Sequence, residues 1–323
     1  MRIATAYAFE SSLGNLQRRQ QALSHAQEQL TSGKRVQRAS DDPTAAAQAA
    51  RAMASETRLA AQQRALQASQ ANLQLTESAL GEAGELMQQA RELVLSAGNG
   101  SYTAADRVTI ARQLQGVRDD LLATANRRDA DGRYLFGGRS SPGAAFVEMP
   151  SGAEIVPGIR TPGVVSYNAL DEYQIAAADA DHEMPLTLDG SAVWMDGTDP
   201  LPPGGAMSAF EALDRTIAAL ADPAAQDAAA IAQAVAQGVS RIDAAAEGLA
   251  AWRSSAGESM NGADRLEAQL GEFKLDAQTQ RSEAEDLDML EAISDFQNRQ
   301  TGYDAALKTY SIVQRMSLFD YVK

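Results

Sequence analysis

The sequence predicts a mainly α protein: a long-helix bundle whose N- and C-terminal helices pair as a coiled coil, with a small inserted β domain. Three observations carry that prediction. The chain is 45% hydrophobic but only 5% aromatic, and it is visibly rich in Ala, Leu, Gln, Glu and Arg, the mixture of long helices packed side by side. Leu59, Leu66, Leu73, Leu80, Met87 and Val94 recur at seven-residue intervals, with mostly small companions at Gln62, Ser69, Thr76, Ala83, Ala90 and Ala97. Matched apolar seams stand at the two ends of the chain.

The first of those seams is Phe9, Leu13, Leu16, Gln20, Leu23, Gln27 and Leu30, and the second is Met289, Ile293, Phe296, Gln300, Tyr303, Leu307 and Tyr310. Both step by four and three, the rhythm of a coiled-coil face. In each, one heptad position is wholly apolar and its companion mixes Leu or Ile with Gln. The ends are therefore expected to pair, with everything between them an outward excursion. Gln20, Gln27 and Gln300 read as register-setting positions. Burial along one seam does not offset the entropy of ordering two whole helices. Both ends are expected to be largely disordered in a free monomer and to fold when subunits pack together.

The elements follow in order. The first helix runs from about residue 5 to Ser32, where Gly33 supplies the left-handed residue that closes it. An extended connector leads to Asp41-Asp42-Pro43, in which Asp42 caps the second helix and Pro43 takes its first position. Gly98-Asn99-Gly100-Ser101 ends that helix. Thr103 and Asp106 form a capping-box pattern ahead of Ile110, Leu114, Val117 and Leu121. From Arg133 the pattern turns to β: Tyr134-Leu135-Phe136-Gly137-Gly138 is strand-like, and Val164–Tyr167 and Leu186–Leu188 read as strands. Asp189-Gly190 reads as a turn into a strand at Ala192–Met195, and Pro200–Gly205 closes the insert. Gly137, Gly138, Gly204 and Gly205 read as hinges. Helix returns with Phe210, Leu213, Ile217 and Leu220 and breaks at Asp222-Pro223. The longest stripe then runs Ile242, Ala245, Leu249, Trp252, Ala256, Ser259, Ala263, Leu266, Leu270, Phe273 and Ala277. A helix from about 225 to 285 is on the order of 90 Å long, which makes the expected molecule a rod with a knob. The expected division is 1–33 with 286–323 as a terminal coiled-coil polymerisation domain. The helical bundle takes 34–137 with 206–285, and the small β domain takes 138–205.

The formal charge of -15 disfavours nucleic acid and anionic membrane, which want basic patches. No run of about eighteen apolar residues stands in the chain to span a bilayer, and no cleavable signal sequence is expected. These features leave a cytosolic protein or one exported by another route. No cysteine and only two histidines argue against thiolate metal sites and histidine-pair catalysis. Asp129-Ala130-Asp131-Gly132 starts like a calcium loop without its spaced glutamate and reads as a helix-ending turn. Asp179–Glu183, with His182, reads as a solvated loop. No catalytic residue, cofactor or metal is expected.

Two stretches resemble the flagellin superfamily: Leu30–Val36 leading to Ser40–Ala46, and Ala292–Gln297 with Tyr303–Lys308 and Ser317–Val322. Within it, Asp41-Asp42-Pro43 and Asp131–Gly138 are similar to the branch at the hook–filament junction. The resemblance implies a structural subunit, exported without a cleavable signal through the flagellar type III apparatus and extracellular once assembled. It implies self-association in a ring, contact with a second hook–filament junction protein and with flagellin, and an export chaperone on the C-terminal helix. Rival readings are a filament flagellin, a secreted coiled-coil tip protein on the same scaffold, and an enzyme within the β insert.

Overall fold

The computed structural model describes residues 2–138, 143–149, 154–161, 163–168, 175–179, 182–185, 188–202, 204–224 and 227–319, with 2–9, 175–179, 182–185 and 313–319 described by backbone alone. The helices and strands in chain order are α1 (Arg2–Ser32), α2 (Pro43–Ala97), α3 (Ala104–Ala125), β1 (Phe146–Met149), β2 (Glu154–Val156), β3 (Ile159–Arg160) and β4 (Val164–Tyr167). Then come β5 (Ile175–Asp179), β6 (His182–Pro185), α4 (Gly190–Trp194), β7 (Gly197–Thr198), β8 (Ala206–Met207), α5 (Ala209–Ala221), α6 (Ala228–Glu285) and α7 (Met289–Phe319). The chain divides into two units, Met1–Ala60 with Gly271–Lys323, and Ala61–Leu270.

The second unit is a helical bundle carrying the β insert. Leu66, Leu73, Leu80, Met87 and Val94 of α2 are fully buried, as are their companions Ser69, Thr76, Ala83, Ala90 and Ala97. Small companions let the neighbouring helices approach closely. Arg91 Nε donates to Asp243 Oδ1 (2.8 Å) and Arg253 Nε to Glu77 Oε1 (2.7 Å), tying α2 to α6 along its flanks. Thr103 and Asp106 form the capping box expected of them, and α3 packs against α5. On α6, Ile242, Leu249, Ala256, Ala263, Leu266 and Leu270 are buried.

The strands form two-stranded antiparallel pairs, β1 with β4, β2 with β3, β5 with β6 and β7 with β8. No wider sheet forms among the described residues: the β1–β4 pair joins an aromatic cluster through Phe146 and Tyr167, and the β2–β3 pair lies against α3 and α5. Trp194 stacks on Phe210 (5.8 Å between ring centroids), and Phe136 meets the Trp194 edge at 5.3 Å. Phe146 touches Trp194, Phe210 and Tyr167.

Two sequence expectations fail here. Tyr134–Gly138 is not a strand but a tight turn with isolated bridges from Tyr134 to Arg128 and from Gly137 to Asp189. Its Phe136 is fully buried in the aromatic cluster, so packing rather than pairing fixes the segment. Asp189-Gly190 does not turn into a strand at Ala192–Met195. Asp189 instead caps the short helix α4, its Oδ1 accepting from Ser191 N at 2.8 Å. Asp suits caps and turns equally. Gly190 is needed for close approach, since a Cβ there would stand 2.3 Å from the Phe136 carbonyl oxygen. Leu186 and Thr187, read as strand, lie outside the described residues.

Arg118 on α3 joins the bundle to the insert. Its side chain, 3% exposed, reaches Asp214 on α5 (3.0 Å), Glu148 on β1 (2.9 Å) and Asp119 (3.5 Å). Burial pushes the Asp214 carboxyl up to about 6, against the pull of Arg118, while Glu148 and Glu211 add repulsion. A carboxyl raised above its ordinary value favours the folded state most when protonated. That contribution is complete below pH 3.8 and is lost as pH rises through about 6. Asp106 and Asp199 are lowered, Asp106 chiefly by the Thr103 N–H and Asp199 by the Leu201 N–H and its arginines despite burial. They act oppositely, adding stability above the ordinary carboxylate range and losing it as pH falls. Subtracting the stability of Asp214→Asn from that of the parent isolates the first effect. The difference should fall by on the order of 1–3 kcal/mol between pH 4 and pH 7 in urea titrations. A flat difference would contradict the assignment.

Candidate assembly surface

The first unit is built from α1, the start of α2, the end of α6 and α7. Its α2 portion buries Ala45, Ala49, Ala52 and Leu59, and its α6 portion buries Ala277 and Ala284. Phe273, expected in the α6 core stripe, is instead exposed. An interface lined with alanines has no room for its ring. Arg281 Nη1 donates to Glu56 Oε2 at 2.8 Å beside these residues.

The turn after α1 is held by the chain that leads into α7. Gly33 has φ 70, the left-handed value that glycine adopts without strain, and its N–H closes α1 on the Gln29 carbonyl (2.8 Å). Its own carbonyl accepts from Leu287 N (3.0 Å), and Arg35 N donates to the Glu285 carbonyl (2.7 Å). Lys34 pairs with Glu285 at 3.0 Å, and the Arg35 guanidinium donates to the Ala284 carbonyl (2.8 Å). Asp41 and Asp42 then divide their work. Asp41 Oδ2 accepts from Gln37 N (3.2 Å) and Arg38 N (2.9 Å), which folds the connector. Asp42 Oδ1 accepts from Thr44 N (3.1 Å) and Ala45 N (3.0 Å), which caps α2 ahead of Pro43. The Arg38 N–H holds the Asp41 carboxyl below its usual range, and the Ala45 N–H does the same for Asp42.

The terminal helices α1 and α7 pack against one another. Leu16 is buried, and Leu23, Leu30, Phe296, Tyr303 and Tyr310 are half-buried. These are the wholly apolar heptad positions, and the side chain of their partner Phe9 lies outside the described residues. The companion positions differ from those the four-three spacing selects. Leu13 is 42% exposed, Ile293 44% and Leu307 41%, and Gln20, Gln27 and Gln300 are exposed as well; Met289, at a wholly apolar position, is also 46% exposed where α7 begins. The covered companions are one residue earlier: Ser12 and Ala26 on α1, and Ala292 and Ala306 on α7, are half-buried or buried. The arginines midway between them, Arg19 and Arg299, reach across. Arg19 Nη1 stands 2.9 Å from where a Gly302 Cβ would be, and Arg299 Nη1 donates to the Ala22 carbonyl at 3.5 Å. The glutamines consequently set no register between α1 and α7. Sequence reasoning missed the arginines, although one stands at the same heptad position in each helix.

The remaining singled-out residues lie in the second unit. Gly137 bridges to Asp189, and Gly138 has φ 59. Gly204 and Gly205 lie in the connection between β7 and β8, where Asp199 N donates to the Gly205 carbonyl at 2.9 Å. Asp129 Oδ1 accepts from Asp131 N (2.9 Å) and Arg133 N (2.8 Å), which makes that stretch a turn.

Removing the Asp42 cap is the simplest local test. Asp42→Ala should lower stability modestly and speed amide exchange at Thr44 and Ala45. Unchanged exchange there would show that the cap contributes nothing.

A family model described as the bacterial flagellin N-terminal helical region matches residues 3–141. Flagellar hook-associated protein 3 of Salmonella typhimurium strain LT2 is 28% identical over 331 residues, covering 99% of this chain and 99% of that protein. The protein of the same description from Escherichia coli K12 is 29% identical over 336 residues, covering 100% of both. Among solved structures, the flagellar junction protein FlgL from Legionella pneumophila superposes with a TM-score of 0.60 at 17% identity, covering 74% of this chain and 100% of that one. That likeness is one of fold.

Proposed function

Because the chain belongs to the flagellin/hook-associated protein 3 superfamily, we propose that it is a structural subunit of the bacterial flagellum, polymerising as an adaptor between hook and filament. The observation that carries this reading is the match to hook-associated protein 3 along the whole length of both chains. A filament flagellin is the nearest rival. Purified filament flagellin elongates into long homopolymers, whereas a junction subunit should not.

The finer reading assigns the termini to assembly. Leu16, Leu23, Leu30, Phe296, Tyr303 and Tyr310 hold α1 to α7. The outward stripe of Leu13, Ile293 and Leu307 then meets neighbouring subunits of the ring, and Met289 and Phe9 are assigned to the same contact. An outward apolar stripe on a protein with many charged residues is what a partner surface looks like. Asp41, Asp42 and Pro43 hold the connector, and Gly137, Gly138, Gly204 and Gly205 flank the β insert. In this reading the protein is extracellular, exported with a chaperone shielding α7, and seated between a second hook–filament junction protein and flagellin.

Deleting the gene should leave hooks without filaments, seen by electron microscopy, with flagellin shed into the medium. The parental gene should restore filaments. A gene carrying Ile293→Asp with Leu307→Asp should not, although these exposed positions leave the α1–α7 contact itself intact. Intact filaments in the deletion strain would refute the junction reading, and full rescue by the double variant would refute the outward stripe.

A further inference from the structure

The β1–β4 ribbon has an inner and an outer face. Register pairs Met149 with Val164 and Val147 with Ser166, so Val147, Met149 and Val164 share the face opposite Phe146 and Val165. Val164 is 71% exposed and Met149 59%. Beside Val164 opens a cleft of about 400 Å³ walled by Val164, Met195, Ala206 and Met207, with Glu211 and Asp214 also among its lining residues. The volume is that of an ordinary ligand or side-chain site, and methionine walls adapt to what enters.

The charges around it do not balance. Among the described residues, the ion-pair network that reaches it joins Arg118, Arg215 and Arg241 to five carboxylates, Asp119, Glu148, Asp199, Glu211 and Asp214. Asp214 keeps an elevated pKa although Arg118 is bonded to it, chiefly because burial penalises its charge, with Glu148 and Glu211 adding a smaller repulsion. A further cation brought to this cleft would therefore be attracted, and its counter-charges are already in place.

We propose that this cleft is a docking site for a lysine or arginine side chain, flanked by apolar residues, of a partner polypeptide. The aliphatic stem would lie along Met195, Met207 and Val164 while the charged head meets Glu211 and Asp214. Long basic side chains bury their stems and expose their heads in this way. The flanking apolar residues would cover Val164 and Met149 on the outer ribbon face. Charge complementarity selects the partner: a segment as acidic as this chain would be repelled. The site does not depend on the terminal helices or on the junction reading.

The test uses the full chain with methyl-labelled methionines and a hexapeptide of alternating leucine and arginine. Its control replaces arginine by citrulline, which has the same shape without the charge. The arginine peptide should shift the Met195 and Met207 methyl resonances in a saturable manner, and the citrulline peptide should not. Glu211→Gln and, separately, Val164→Lys should each weaken binding about two- to fivefold. Val164 is exposed, so its variant tests the rim without touching the core. Equal shifts with citrulline, shifts spread over all methionines alike, or none at millimolar peptide would overturn the proposal. Concentration-dependent shifts of the same methyls without peptide would assign the cleft to a second copy of the chain, and would overturn it too.

Discussion

A large apolar residue every seventh position, with a companion three or four residues away, does different work according to how many helices surround it. In the second unit, Leu66 to Val94 of α2 meet several neighbours, and both the large residues and their small companions are buried. In the terminal pair each helix meets one partner along this face. The large positions Leu16, Leu23, Phe296 and Tyr303 turn inward, and the apolar companions Leu13, Ile293 and Leu307 remain in solvent. One repeat thus produces a closed core in one place and an exposed apolar stripe in another. Packing geometry, rather than composition, separates them.

The local devices were legible in the sequence because they act over a few residues. Gly33 ending α1, Asp42 with Pro43 starting α2, and Thr103 with Asp106 starting α3 all stand where the spacing puts them. The companion register of the terminal pair was not, since Leu13, Gln20 and Gln27 continue the four-three count as well as Ser12, Arg19 and Ala26 do. Apolarity favours the first set, while close approach at Gly302 and the reach of two arginines select the second. Asp189-Gly190 failed for a different reason, because the pair satisfies a hairpin turn and a helix start equally until Phe136 is placed against it. The Arg118 cluster was out of reach, since Arg118, Glu148 and Asp214 meet only through the tertiary fold.

The electrostatics sort in the same way. Asp41, Asp42 and Asp106 are stabilised as anions by backbone N–H groups close to them in sequence, and each fixes a turn or a helix end. Asp214 is the reverse, a buried carboxyl held by a distant arginine and raised by its surroundings. The first kind supports the architecture at neutral pH. The second kind spends stability there, which is the behaviour expected of groups kept for a contact rather than for the fold.

The proposed assembly role requires that neighbouring subunits complete the α1–α7 pair, which is then not self-sufficient in the free chain. Hydrogen exchange on the full-length monomer and on assembled hooks tests it most directly. In the monomer, amides of 10–32 and 289–312 should open far more readily than those of α2 between 66 and 94, and assembly should protect them. Protection of the terminal helices in the monomer equal to that of the bundle, unchanged on assembly, would contradict it.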